Sequence, residues 1–149
     1  PKFAILVRLS PVSDDTGIRL EDTLRVCDSL LSKSIEGLHI SCWDVFEKHS
    51  SGKTLTKEIS QFIDQRIPII STGSVWTGND AHFLLEEGAD GVGVARVALP
   101  FPDWPHSSAS LDYSPEKPPF TPQMLTDAEL SPLFVDYMRR WKGFVTDGR

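Results

Sequence analysis

Two stretches of this chain end in residues suited to gripping a phosphate. One apolar run closes as Ile69-Ile70-Ser71-Thr72-Gly73-Ser74, and the next closes as Gly91-Val92-Gly93-Val94-Ala95-Arg96. Gly73 puts no side chain between its amide and an approaching anion. Backbone N–H groups at such turns favour negative charge, and Arg96 adds a guanidinium able to make a two-point charged contact. Arg8 ends a third apolar run, Phe3 to Arg8. A charge in that position must meet solvent, a loop carboxylate or an electron-rich ligand.

Groups that would carry out acid–base or nucleophilic chemistry are harder to find. His39 alternates within an apolar run and reads as a packed or hydrogen-bonded side chain. His49 and His106 fall in polar loops and His82 on a helix, with no metal-ligand spacing among them. Ser41-Cys42 end a strand, yet no histidine is placed by sequence to activate either. Glu86-Glu87 read as a solvated helix end, and no carboxylate pair has separable acid and base roles. Cys27 and Cys42, the only two cysteines, lack a CxxC spacing and read as buried thiols.

The elements that must position these residues alternate strand with helix. Phe3 to Arg8 is a nearly unbroken apolar strand, as in a parallel sheet covered by helices. Leu24, Cys27 and Leu31 mark one face of a helix predicted over 21–31. Gly37-Leu38-His39-Ile40-Ser41 is the second strand, and Leu55, Ile59, Phe62 and Ile63 stripe a helix over 54–63. Ile67-Pro68-Ile69-Ile70 is the third strand, its proline at the entrance where a missing N–H matters least. Thr77 and Asp80 open a helix that ends at Gly88, and Gly91 to Ala95 form the fourth strand. This alternation implies right-handed crossovers in a parallel α/β sheet, whose ligands bind beyond the carboxyl ends of the strands.

The rhythm stops at Leu99. The expected organisation is four βα units over 1–98, a Pro- and Ser-rich excursion over 99–120 and C-terminal helices over 121–149 packing on the sheet. Thr121-Pro122 and Ser131-Pro132 each supply a cap residue followed by proline at the first helical position. Phe134, Met138 and Trp141 are expected on one docking face of the last helix.

Composition narrows the classes. With 149 residues, of which 40% are apolar and 24% charged, the chain has enough material for a packed core. A formal net charge of -6, from 15 basic and 21 acidic residues, argues against general nucleic-acid binding. The apolar runs are strand length, too short to cross a bilayer. No nucleic acid, membrane or metal partner is expected, and a reducing cytoplasm is the expected compartment.

Together these segments resemble the C-terminal half of the old yellow enzyme family of NADH:flavin oxidoreductases. The likeness runs in the family's order through Val7-Arg8-Leu9-Ser10-Pro11, Gly37-Leu38-His39-Ile40-Ser41 and Pro68-Ile69-Ile70-Ser71-Thr72-Gly73. It continues through Gly88-Ala89-Asp90-Gly91-Val92-Gly93-Val94-Ala95-Arg96 and Pro102-Asp103-Trp104-Pro105. The resemblance implies a partial (β/α)8 TIM barrel, with this chain supplying strands five to eight and a C-terminal helical tail. It implies FMN as cofactor, NADH or NADPH as reductant and a small-molecule electron acceptor. By the same resemblance, Arg8 contacts the pyrimidine side of the flavin and stabilises its reduced anion, the one catalytic part assigned here. Gly73, Ser74, Ala95 and Arg96 hold the phosphate, with Ala95 standing where the family has glycine. The family's remaining flavin contacts, its substrate-binding histidine and its tyrosine proton donor come from strands one to four, and none is assigned in this chain.

A four-stranded parallel sheet cannot close and leaves two edges. Either a missing N-terminal half-barrel or self-association is expected to cover them. Two other readings stay open on sequence: a phosphate-binding isomerase or aldolase, for which Lys53 and Asp14 are the nearest candidates, and a non-catalytic interaction domain.

Overall fold

The computed structural model describes residues 3–146. The first two residues and the last three of the 121–149 segment lie outside the described residues. Four parallel strands form one sheet in the order β1-β2-β3-β4, which is the sequential order of a barrel wall. They are β1 (Leu6–Leu9), β2 (Gly37–Ser41), β3 (Ile69–Thr72) and β4 (Gly91–Gly93), separated by α1 (Leu20–Leu31), α2 (Leu55–Ile63) and α3 (Gly78–Glu86).

The register sorts side chains onto two faces. Leu38 pairs with Ile69, and Ile40 with Ser71; all four are buried. On this face α2 packs by its apolar stripe, with Ile59 and Ile63 fully enclosed. A buried hydrogen bond of 2.8 Å joins Thr56 Oγ1 on α2 to Ser71 Oγ on β3. The opposite face carries Leu6 and Arg8 from β1, His39 and Ser41 from β2, and Ile70 and Thr72 from β3. There the residues are half-buried or exposed, and Leu6 is 53% accessible.

Strand boundaries moved where the ladder, rather than hydropathy, sets them. β1 begins at Leu6 and not at Phe3, because Ile5 N–H is taken by the Glu36 carboxylate at 2.7 Å instead of by a strand. β3 runs two residues further than expected and begins after Pro68, whose carbonyl still accepts from Leu38 N–H at 2.9 Å. β4 stops at Gly93, so Ala95 lies beyond the strand. The helices agree more closely. Thr54 caps α2 by accepting from Lys57 N–H, and Asp64 in the left-handed region ends it.

The described chain divides into two compact units. One runs to Val75 and includes Asp80–Val94; the other is Trp76–Asn79 with the chain from Ala95 onward. The first holds the sheet. The second gathers the excursion and the terminal helices around Phe120, Leu125, Val135, Met138 and Phe144. A short helix unsuspected from the Pro-rich sequence, α4 (Trp104–Ser107), lies in the excursion, and Trp104 Nε1 donates to the Trp76 carbonyl at 2.8 Å. α5 (Pro122–Asp127) and α6 (Pro132–Met138) start where expected, each with its hydroxyl cap in place. The single docking face expected for α6 is split. Met138 is buried in this unit's core, while Phe134 and Trp141 are 39% and 56% exposed.

Candidate functional site

Arg8 and Ser41 lie on the open face of the sheet, toward its carboxyl edge. Arg8 Nη2 donates to Ser41 Oγ at 2.7 Å, and Arg8 has no carboxylate partner among the described residues. Of the three fates open to this charge the structure gives solvent, together with a neutral hydroxyl that the sequence did not indicate. The guanidinium therefore keeps donors and a full charge for a further acceptor.

His39 lies in register with Arg8. Its Nε2 is buried with no hydrogen-bond partner, so of the packed and hydrogen-bonded readings the packed one describes that atom. Burial first, and then the positive charge of Arg8, hold its imidazole below the ordinary value of 6.5. Gly93 makes room for the ring, since a methyl group there would stand 2.9 Å from Thr72 Cβ and 3.4 Å from His39 Nε2.

The turn after β3 is conformationally special. Gly73 has φ +147° and Ser74 φ +57°. Glycine is required at 73, because a Cβ would stand 2.5 Å from the Cys42 carbonyl oxygen. The turn is tied to its neighbour by three bonds: Cys42 N–H to Thr72 O at 2.9 Å, Val45 N–H to Gly73 O at 3.3 Å and Ser74 Oγ to Trp43 O at 3.1 Å. Among the described residues, the N–H groups of Gly73 and Ser74 donate to nothing. β4 is parallel to β3, with Thr72 opposite Gly93, so both strands leave the sheet at the same edge. Ala95 and Arg96 follow β4 along the chain and belong to the second unit, where Arg96 opens a 3-10 turn, Arg96–Ala98. Ala95 has φ -134° and ψ -80°, so no positive φ calls for glycine at this position. Arg96 is exposed and has no ion pair among the described residues.

Sequence reasoning missed a cavity of about 770 Å³ at the carboxyl ends of β1 and β2. The loops 10–15 and 41–50 line it, among them Asp14, Ser41, Trp43, Asp44 and Lys48. Trp43 is 93% exposed; a tryptophan two residues past a strand end was the available signal. Cys42 also lines the cavity, and burial, with the charges of Asp44 and Glu47, pushes its thiol up to about 11. It is a poor nucleophile at neutral pH. Both cysteines are buried and free, as read from sequence. Lys53, the lysine an aldolase reading would need, is bound at 2.8 Å to Gln61 Oε1 on α2. Among the described residues no His, Cys, Asp and Glu cluster suits a metal ion. No helix in them is long and apolar enough to cross a membrane.

No family model matches the chain. Over 107 residues it is 32% identical to a probable NADH-dependent flavin oxidoreductase, YqiG, of Bacillus subtilis, an alignment covering 68% of this chain and 29% of that protein. It is 27% identical over 119 residues to the NADH:fumarate oxidoreductase of Klebsiella pneumoniae, covering 68% of this chain and 12% of that protein. Among solved structures, dihydroorotate dehydrogenase of Eimeria tenella in complex with ferulenol superimposes with a TM-score of 0.46 at 18% identity, covering 62% of this chain and 28% of that one. The resemblance to flavin oxidoreductases read from the residues is thus met in the chain's similarity to YqiG. The chain spans less than a third of the length of the relatives it matches, 29% and 12%.

Proposed function

We propose that this chain is the flavin-holding half of an FMN-dependent oxidoreductase of the old yellow enzyme type, reduced by NADH or NADPH. The observation that carries the reading is the Gly73-Ser74 turn, with two N–H groups free of other partners at the sheet's carboxyl edge. Such donors suit a phosphate, and the family likeness supplies the rest of the group. In this reading Gly73, Ser74, Ala95 and Arg96 hold the phosphate. Arg8, steadied by Ser41, sets a positive charge against the pyrimidine edge of the ring. When bound, FMN supplies hydride transfer between the nicotinamide and a small electron-poor acceptor.

The chain's own residues supply anchoring and charge, and no proton donor is assigned among them. Turnover accordingly needs the remaining strands, supplied by a further half-barrel or by a second copy. The unpaired edge of β1, with Ile5 and Leu6 exposed beside it, is the surface that such a partner would cover. The absorbance spectrum of the purified chain, taken before and after FMN is added, tests the binding. A shifted flavin band at stoichiometric FMN is the expected outcome. Arg96→Ala is expected to weaken binding by about 1.5–3 kcal/mol through loss of a charge-assisted contact. Unshifted flavin, or equal affinity in Arg96→Ala, would remove the respective assignment.

A further inference from the structure

The cavity at the ends of β1 and β2 holds none of the residues assigned to the flavin phosphate. At about 770 Å³ it has the volume of a small-molecule site, and it shares Ser41 with the Arg8 hydrogen bond. Trp43 lines it with 93% of the residue exposed. That exposure does not come from a loose loop. The Trp43 carbonyl accepts from Ser74 Oγ, and the residues on either side are bonded to the β3 turn through Cys42 N–H and Val45 N–H. A held backbone thus presents an indole with only two side-chain torsions left to fix. A planar partner gains contact with it at little ordering cost.

The charge around that ring is one-sided. Asp14, Asp15, Asp44 and Glu47 line the cavity, against Lys48 as its one lysine or arginine. Burial first, and then Asp44 and Glu47, raise the Cys42 thiol in the same wall. An anionic ring meets repulsion here, whereas a cation over the indole face gains from its negative quadrupole.

We infer that this cavity binds a planar aromatic molecule bearing no negative charge, stacked on Trp43. As the acceptor's seat beside Arg8 it rests on the flavin reading; as a binding site it does not. A charge series of one ring system tests it: 1-methylquinolinium, quinoline and quinoline-4-carboxylate, titrated into the full chain by calorimetry. Affinity is expected to fall in that order. Trp43→Ala, at an exposed position, is expected to weaken the cation roughly tenfold. Asp14→Asn with Asp44→Asn is expected to narrow the gap between cation and anion. The inference is overturned if none of the three binds, if the carboxylate binds as tightly as the cation, or if Trp43→Ala changes nothing. FMN titrated separately into the same chain keeps the two readings apart. Failure there with the charge order intact would strike the flavin reading alone.

Discussion

Arg8 and His39 show what a single residue contributes to this sheet face. Arg8 was legible in the sequence as a charge ending an apolar strand. Its partner was not, because Ser41 comes beside it only through the β1–β2 register. The environment of His39 depends likewise on Gly93, two strands away and without a side chain. Since the imidazole is held below its ordinary 6.5, the unfolded chain binds its proton first as pH falls. The neutral ring's stabilising contribution is therefore complete above 6.5 and is lost as pH drops through 6.5 toward the depressed value. Thermal melts across this range are expected to show stability falling with pH, and His39→Gln to flatten that slope. A slope unchanged in His39→Gln would place its origin elsewhere. Cys42, with its thiol raised to about 11, is expected to resist iodoacetamide in the native chain at mildly alkaline pH and to react once urea unfolds it. Rapid native alkylation assigned to Cys42 by mass spectrometry would contradict the burial described.

At the scale of elements, the strand–helix alternation was plain in hydropathy, and helix starts were plain in their capping residues. Thr121 and Ser131 cap their helices as the sequence indicated, while Thr54, read as the first residue of its helix, is the cap before it. Strand ends were less visible, because pairing decides them: β3 reaches Thr72 by pairing with Ser41 and Gly93. The α2–β3 joint was not visible at all, since threonine and serine give no hydropathy signal for burial. Thr56→Val keeps the shape but leaves Ser71 Oγ without its bond. A loss of about 1–3 kcal/mol in urea unfolding is expected, and no loss would mean the buried hydroxyl finds another partner. Gly73→Ala forces a Cβ into the Cys42 carbonyl at φ +147°. It is expected to cost more stability than Gly17→Ala or Gly52→Ala, where a Cβ meets nothing within 4 Å though φ is also positive.

Considered as a whole molecule, the chain carries a formal charge of -6, and the proposed anion grip lies within it. Binding of a phosphorylated flavin must therefore come from local donors rather than from the average field. Among the described residues the β1 edge is unpaired, and it is the surface that the proposed association would cover. Sedimentation velocity is expected to show size rising with concentration, and Leu6→Lys to shift the distribution toward monomer. The flavin part of the proposal was readable only through family likeness, because a turn with free N–H groups names no ligand.

The most direct measurement compares FMN with riboflavin by isothermal titration into the chain, since the two differ only by the phosphate. FMN is expected to bind more tightly, with Arg96→Ala reducing it toward the riboflavin affinity. Equal binding of the two flavins, unaltered by Arg96→Ala, would contradict a phosphate grip at these strand ends.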